Sequence, residues 1–274
     1  MPKGKKVQNC AAVIRSLLPA GFAPKVGLVL GTGLGGVSEK LETPLRVPYV
    51  DLPDYPLSTV ASHAGRFSVG RLSGMPVIIQ EGRCHLYEGR SPQEVVMGVR
   101  VMAELGVEVL IVTNAAGGLN PLFAPGDIML LADQINFTGR SPLTGLEDAS
   151  GGSRFVDMSA PFDAKLSVLA LQGAVKAGFF LRQGIFLGLA GPQMESRAET
   201  RMFRAWGADA VSMSTVLEVI AARHLGLRVL GLSVISNLNL PDNMAETSLE
   251  DVIQVSSQAV DRISRLIESV LEGL

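Results

Sequence analysis

Residues 107–118 read VEVLIVTNAAGG, an apolar run that stops at Thr113 and Asn114 and closes on small residues. A short run without alternation describes a strand buried on both faces, the habit of a parallel sheet covered by helices. The same form recurs at VGLVLG (26–31), MPVIIQEG (75–82), GIFLGLAG (184–191), DAVSMST (209–215) and LRVLGLSVISN (227–237). Helical patterns lie between several of them, over 163–177, 195–206, 215–225 and 248–272. Another starts at Ser91, which reads as an N-cap, with Pro92 first in the helix and Glu94 as capping-box partner. Strands alternating with helices predict an α/β fold, with a central mixed, largely parallel β-sheet flanked by helices. No linker, repeat or low-complexity tract divides 1–274, which reads as a single domain. The irregular stretch over 138–160 is of a length that is often functional.

In open α/β sheets the ligand sits beyond the carboxyl ends of the strands. Here those ends carry GTGLGG, EGRCHLYEG, TNAAGG, AGPQMES, SMST and ISN, all polar or glycine-rich and predicted to meet on one rim. GTGLGG (31–36) matches a dinucleotide-binding fingerprint, but the next segment has four prolines between 44 and 56 instead of a helix and a strand. What survives is an anion cradle of backbone N–H groups with the Thr32 hydroxyl, or else a plain tight turn. SHAGR (62–66) adds His63, which alone decides nothing. QEGRCHLYEGRS (80–91) is denser: Arg83 and His85 are expected to alternate along an extended segment and face one way, a fork and a single donor suited to phosphate. Glu195 in AGPQMES is read into the first turn of a helix, where capping competes with a binding role. Ser214 in SMST offers a hydroxyl at a strand-to-helix junction.

Composition excludes several classes. Apolar residues at 47% and charged residues at 18% describe a chain with a large core, not a disordered one. With 24 basic against 26 acidic residues, a net charge of -2, nothing favours nucleic acid or an anionic membrane as partner. The one basic run, PKGKK, reads as a frayed, solvated terminus. Two cysteines, Cys10 and Cys84, make no disulfide framework and fit a reducing compartment. No apolar stretch approaches the ~18 residues of a membrane span, the start lacks the apolar core of a signal peptide, and a cytoplasmic protein is expected. No metal-ligand cluster of plausible spacing stands out, so no metal or organic cofactor is expected.

Taken together, GTGLGG, SHAG, GRCHLYEG, TNAAGGL with PGDIML, GPQMES, SMSTVLEV and VISN resemble, in order and spacing, the trimeric purine nucleoside phosphorylases, whose wider family includes methylthioadenosine phosphorylases. The resemblance implies a homotrimer that cleaves purine nucleosides with inorganic phosphate as co-substrate. It places phosphate against Thr32, Arg83, His85, Ser214 and the backbone at Ala115, with His63 closing over it. It sets Tyr87 and Met213 against the pentose, Glu195 and Asn237 at the base, and Met194 and Val211 beside it. Asn237, His85 and Glu88 are its expected catalytic groups.

An amide donor and acceptor at Asn237 and an acceptor-only Glu195 match the edge of hypoxanthine or guanine. The adenine-directed relatives carry aspartate where Asn237 stands. Two departures matter. Leu249 stands where a 5′-hydroxyl-binding histidine is usual, which makes methylthioinosine a second expected substrate. Gly151, four residues before Phe155 of the Arg154–Phe155 pair, replaces an aromatic that such proteins often send across a subunit boundary. Leu217 also stands where a proline is common. A nicotinamide-dependent dehydrogenase and a non-catalytic purine sensor are the rival readings. The first would bind a dinucleotide, and the second would need no complete phosphate wall.

Overall fold

The computed structural model describes residues 3–146 and 153–274. Position 151 therefore lies outside the described residues. Helix α1 (Lys3–Leu17) leads into β1 (Val26–Leu30), β2 (Glu42–Pro48), β3 (Arg66–Leu72) and β4 (Met75–Glu81). A broken helix follows, α2 (Pro92–Val95) and α3 (Met97–Glu104), and then β5 (Val109–Gly118) and β6 (Ile128–Asn136). After α4 (Ala164–Ala177) come β7 (Arg182–Gly188), α5 (Arg197–Ala205), β8 (Ala210–Ser212), α6 (Val216–His224) and β9 (Arg228–Leu238). Helices α7 (Leu249–Gln258) and α8 (Val260–Glu272) end the chain.

One sheet runs in the order β2-β3-β4-β1-β5-β8-β7-β6-β9, and β9 also pairs with β5. The last five strands therefore form a closed ring with no free edge among them. Five of the nine pairings are parallel, and four are antiparallel. The 107–118 run explains the layering. Leu110 and Val112 of β5 enter one apolar cluster, whereas Val109 and Ile111 enter the other, because successive side chains point to opposite faces. Helices α1, α3 and α6 cover the first face. Helices α4 and α8 cover the second, α8 through Ile263, Leu266, Ile267, Val270 and Leu271, a one-sided helical stripe.

The structure corrects several expectations. The basic start is not frayed: α1 begins at Lys3 and buries Cys10, Ala11 and Ile14. Three strands, β2, β3 and β6, are additional to those read from the sequence. The single helix expected over 248–272 is two, meeting at Ala259. The Ser91 capping box forms as expected, with Ser91 accepting from the Glu94 N–H and the Glu94 carboxylate accepting from the Ser91 N–H. No described helix is long and apolar enough to cross a membrane.

Strand β9 carries one irregularity. Along β5 and β9 the register pairs Ala116 with Ile235 and then Gly117 with Asn237, so Ser236 is an extra residue, a β-bulge. Bulges re-aim the side chains beyond them.

Candidate active site

The strand ends converge as expected on a cavity of about 290 Å³, near the lower end of the range for small-molecule sites. Thr32, from the turn after β1, and the backbone at Ala115 in β5 stand on its wall. So do Ser214, after β8, and the His63, Arg83, His85 and Tyr87 group. Glu195, Asn237, Val211 and Met213 line it as well, with Met194 and Leu249, each about half exposed, at the rim. Glu88 alone among the expected residues does not reach the cavity. Among the described residues no three histidine, cysteine or acidic side chains gather as metal ligands.

The segment after β4 is not the extended ladder expected for Arg83 and His85. The strand ends at Glu81, and Gly82 turns the chain at φ +94. A side chain at position 82 would run into His63, so only glycine fits there. Arg83 then turns inward and is 1% exposed. Its Nη1 donates to Glu218 Oε2 at 2.7 Å and to Thr215 Oγ1 at 3.3 Å, and its Nη2 donates to the Thr113 carbonyl. The expected free fork is thus a guanidinium held against a buried carboxylate. Thr215, at the start of α6, adopts φ +73, a strained conformation for a β-branched residue. Its hydroxyl also accepts from Asn114 Nδ2 at 2.9 Å and lies 3.3 Å from Ser214 Oγ.

Beside Arg83 three rings stack into a column. The His63 and His85 centroids are 5.4 Å apart, and those of His85 and Tyr87 are 4.6 Å apart at 13°. Glu88 holds this column from behind. Its carboxylate accepts from the His85 N–H at 2.7 Å and meets His85 Nδ1 at 2.9 Å. It also accepts from the Thr59 N–H and hydroxyl. Burial alone would raise the Glu88 carboxyl, but the bonds from His85 and Thr59 outweigh it and hold the group well below the usual carboxylate range. Glu88 is thus a positioning residue, and His85 is the group that faces the cavity. Burial, with the nearby His85 and Arg83, pulls the His63 imidazole down to about 4. Burial likewise raises the Tyr87 phenol to about 12.

The depressed imidazole predicts a stability effect. As pH falls from 6.5 towards about 4 the unfolded chain takes up the His63 proton before the folded one does. The contribution of His63 is therefore complete above pH 6.5 and lost towards about pH 4. Urea midpoints measured across that interval should fall with acidification in the wild type and fall less steeply in His63→Gln. Parallel pH series would contradict the assignment.

At the other side of the cavity, Glu195 is not in a helix. Helix α5 starts at Arg197, its cap is Ser196, and its capping box is completed by Glu199. Glu195 stands just outside and is released from capping. Its Oε2 accepts from Asn239 Nδ2 at 2.6 Å. Asn239 Oδ1 in turn accepts from Asn237 Nδ2 at 2.7 Å, and Asn237 Oδ1 accepts from Ser236 Oγ at 2.8 Å. Burial raises the Glu195 carboxyl, with Glu199 adding to the rise and the Asn239 amide offsetting part of it.

Comparison with known proteins settles the kinship. The model of the phosphorylase superfamily matches residues 25–272. Purine nucleoside phosphorylase 1 of Bacillus subtilis (strain 168) is 44% identical, over 97% of this chain and 97% of its own. The chain belongs to the purine nucleoside phosphorylase family. The Rattus norvegicus purine nucleoside phosphorylase is 42% identical over 92% of this chain and 89% of its own. The solved purine nucleoside phosphorylase of Schistosoma mansoni in complex with adenosine superposes with a TM-score of 0.92. It is 34% identical and covers 98% of this chain and 97% of its own. A schistosoma purine nucleoside phosphorylase in complex with hypoxanthine matches equally well, with a TM-score of 0.92.

Within this purine nucleoside phosphorylase family member, the polar side chains of Asn239, Glu218 and Thr215 at and behind the site were given no role by the sequence reading. Asn239 had a readable signal: in ISNLNL (235–240) two asparagines stand two apart, and such residues share one face of a strand. Glu218 had another, as the one acid in the apolar run VLEVIAA, where burial demands a cation. Thr215 stood only among the hydroxyls of SMST (212–215), and its uncommon backbone conformation is not legible in the sequence.

Proposed function

We infer that this protein cleaves inosine and guanosine with inorganic phosphate, releasing the 6-oxopurine base and ribose 1-phosphate, and so is a pentosyltransferase. The observation that carries the reading is one cavity with two chemically distinct sides. Thr32, His85, Ser214 and backbone N–H groups form a donor-rich side. Glu195, Asn239 and Asn237 form an amide-and-carboxylate side.

The chemistry follows from that division. As the bond from C1′ to the purine nitrogen breaks, its electron pair goes to the base and positive charge develops on the pentose. A phosphate dianion held on the donor-rich side stabilises that charge, and one of its oxygens forms the new bond to C1′. The base, gaining negative charge, meets the Asn237 amide and takes a proton at N7 from water. The hydrogen phosphate gives up its own proton to water as it becomes the ester, so charge and protons balance. The 6-oxo group needs a donor, and N1–H and the guanine 2-amino group need an acceptor, which Glu195 supplies when ionised. Arg83, neutralised by Glu218, acts chiefly as the rigid floor under the phosphate side. The reading needs no metal or organic cofactor. We further propose a cytoplasmic homotrimer serving purine salvage. The two free cysteines fit a reducing compartment, and the trimer rests on the family resemblance.

Coupled assays of base release from inosine, guanosine, adenosine and methylthioinosine, with and without phosphate, test the reading. Inosine and guanosine should release base only when phosphate is present, with adenosine at least about a hundredfold lower in kcat/KM. Release without phosphate, or a preference for adenosine, would overturn it. Methylthioinosine reports on the rim, where Leu249 and Val252 offer apolar surface.

A further inference from the structure

Asn239 is 5% exposed, lines the cavity, and sits between the two groups assigned to the base. Its backbone N–H is fixed to the Gly118 carbonyl at 2.8 Å. Its side chain lies over Gly117, where an added Cβ would come within 2.7 Å of the amide nitrogen. Glycine at 117 is thus what lets this amide lie flat between Glu195 and Asn237.

The order of donors in this chain is fixed from one end. An ionised carboxylate only accepts, so Asn239 must turn its NH2 towards Glu195. Its carbonyl then faces Asn237 and must receive an N–H. Asn237 therefore spends one N–H on Asn239 and turns its carbonyl to the Ser236 hydroxyl. Its second N–H and the one remaining lone pair of its carbonyl stay available. No other side chain among the described residues donates to Glu195.

We propose that Asn239 is a specificity-determining positioning residue: it passes the charge state of Glu195 to the amide orientation of Asn237, and so sets the site for 6-oxopurines. The proposal deepens the phosphorylase reading and rests on it. Protonating Glu195, or removing the amide at 239, frees Asn237 to rotate by half a turn and exchange donor for acceptor. A 6-amino group then becomes as acceptable as a 6-oxo group.

Two variants test this. Asn239→Ala removes the link, and the guanosine-to-adenosine ratio of kcat/KM should fall at least tenfold while the KM for phosphate stays within twofold. Asn239→Asp keeps the shape but sets two acceptors against each other, so one proton must be shared between residues 195 and 239. The acid limb of the guanosine kcat/KM profile should then move to higher pH by at least one unit. A purely structural role predicts equal losses on both nucleosides and an unmoved pH profile, and that outcome would overturn the proposal. If Asn239→Ala fails to fold, the near-isosteric Asn239→Asp profile decides alone. Wild-type protein without phosphate-dependent activity would sink the underlying reading. An active wild type with both variants unchanged in ratio and profile would sink this inference only.

Discussion

Replacing Glu218 by alanine should lower the unfolding free energy by about 3–5 kcal/mol. Arg83 and Glu218 are 1% and 0% exposed, and 2.7 Å separates Nη1 from Oε2. The variant leaves a guanidinium buried with only the Thr215 hydroxyl and the Thr113 carbonyl to face it. Such a loss is a large share of the stability of an ordinary domain. The uncompensated cation should also favour an anion in the adjoining cavity. Added phosphate should therefore raise the urea midpoint of Glu218→Ala more than that of the wild type, since a ligand of the folded state stabilises by mass action. Removing both charges, in Arg83→Met with Glu218→Ala, should recover much of the stability and abolish the extra response to phosphate. A Glu218→Ala protein within about 1 kcal/mol of wild type would mean that the pair contributes no more than an exposed one.

Asn237→Asp should abolish the preference for 6-oxopurines, with the guanosine-to-adenosine ratio falling by at least about a hundredfold. An aspartate at 237 can no longer donate to Asn239 Oδ1, which now receives an N–H from Asn237 at 2.7 Å. Asn239 must either turn its NH2 to the new carboxylate and abandon Glu195, or leave two acceptors opposed. Either way the 6-oxo group loses a donor, while a 6-amino group gains an acceptor. Kinetics on both nucleosides, with Asn239→Ala as the second arm of a double-mutant cycle, would show the two positions to be non-additive. Comparable ratios in wild type and Asn237→Asp would refute the assignment.

How much of this was legible depends on the kind of signal. Strands β1, β4, β5 and β9 were readable because each holds a run of buried residues, mostly apolar, that does not alternate with exposed ones. Strand β2 hid behind Pro44, Pro48 and an exposed, charged pattern. Strand β6 begins buried and ends half exposed, so it matches neither simple pattern. Helix α1 was masked by its lysines, although Cys10, Ala11 and Ile14 already lie on one helical face. The junction at Ala259 carries neither proline nor glycine to mark it in the sequence. At the site, strand ends and loop motifs brought thirteen expected residues to one cavity. What the linear pattern could not tell is how the polar groups pair: Arg83 finds Glu218 135 positions away, and Glu195 finds Asn239 44 positions away. The second pair joins the ends of two ring strands, β7 and β9, whereas the first ties the end of β4 to helix α6 across the sheet.

The extra residue at Ser236 carries a last consequence. Side chains on a strand keep a strict two-residue rhythm, and one surplus residue shifts its phase. Up to Ile235 the strand serves the apolar interior. Beyond that point the cavity receives two amides, Asn237 from the end of the strand and Asn239 from just past it. On the proposed reading the choice of base rests on a miscount between two neighbouring strands, and shortening the longer one by a single residue should turn Asn237 and Asn239 away from the base together.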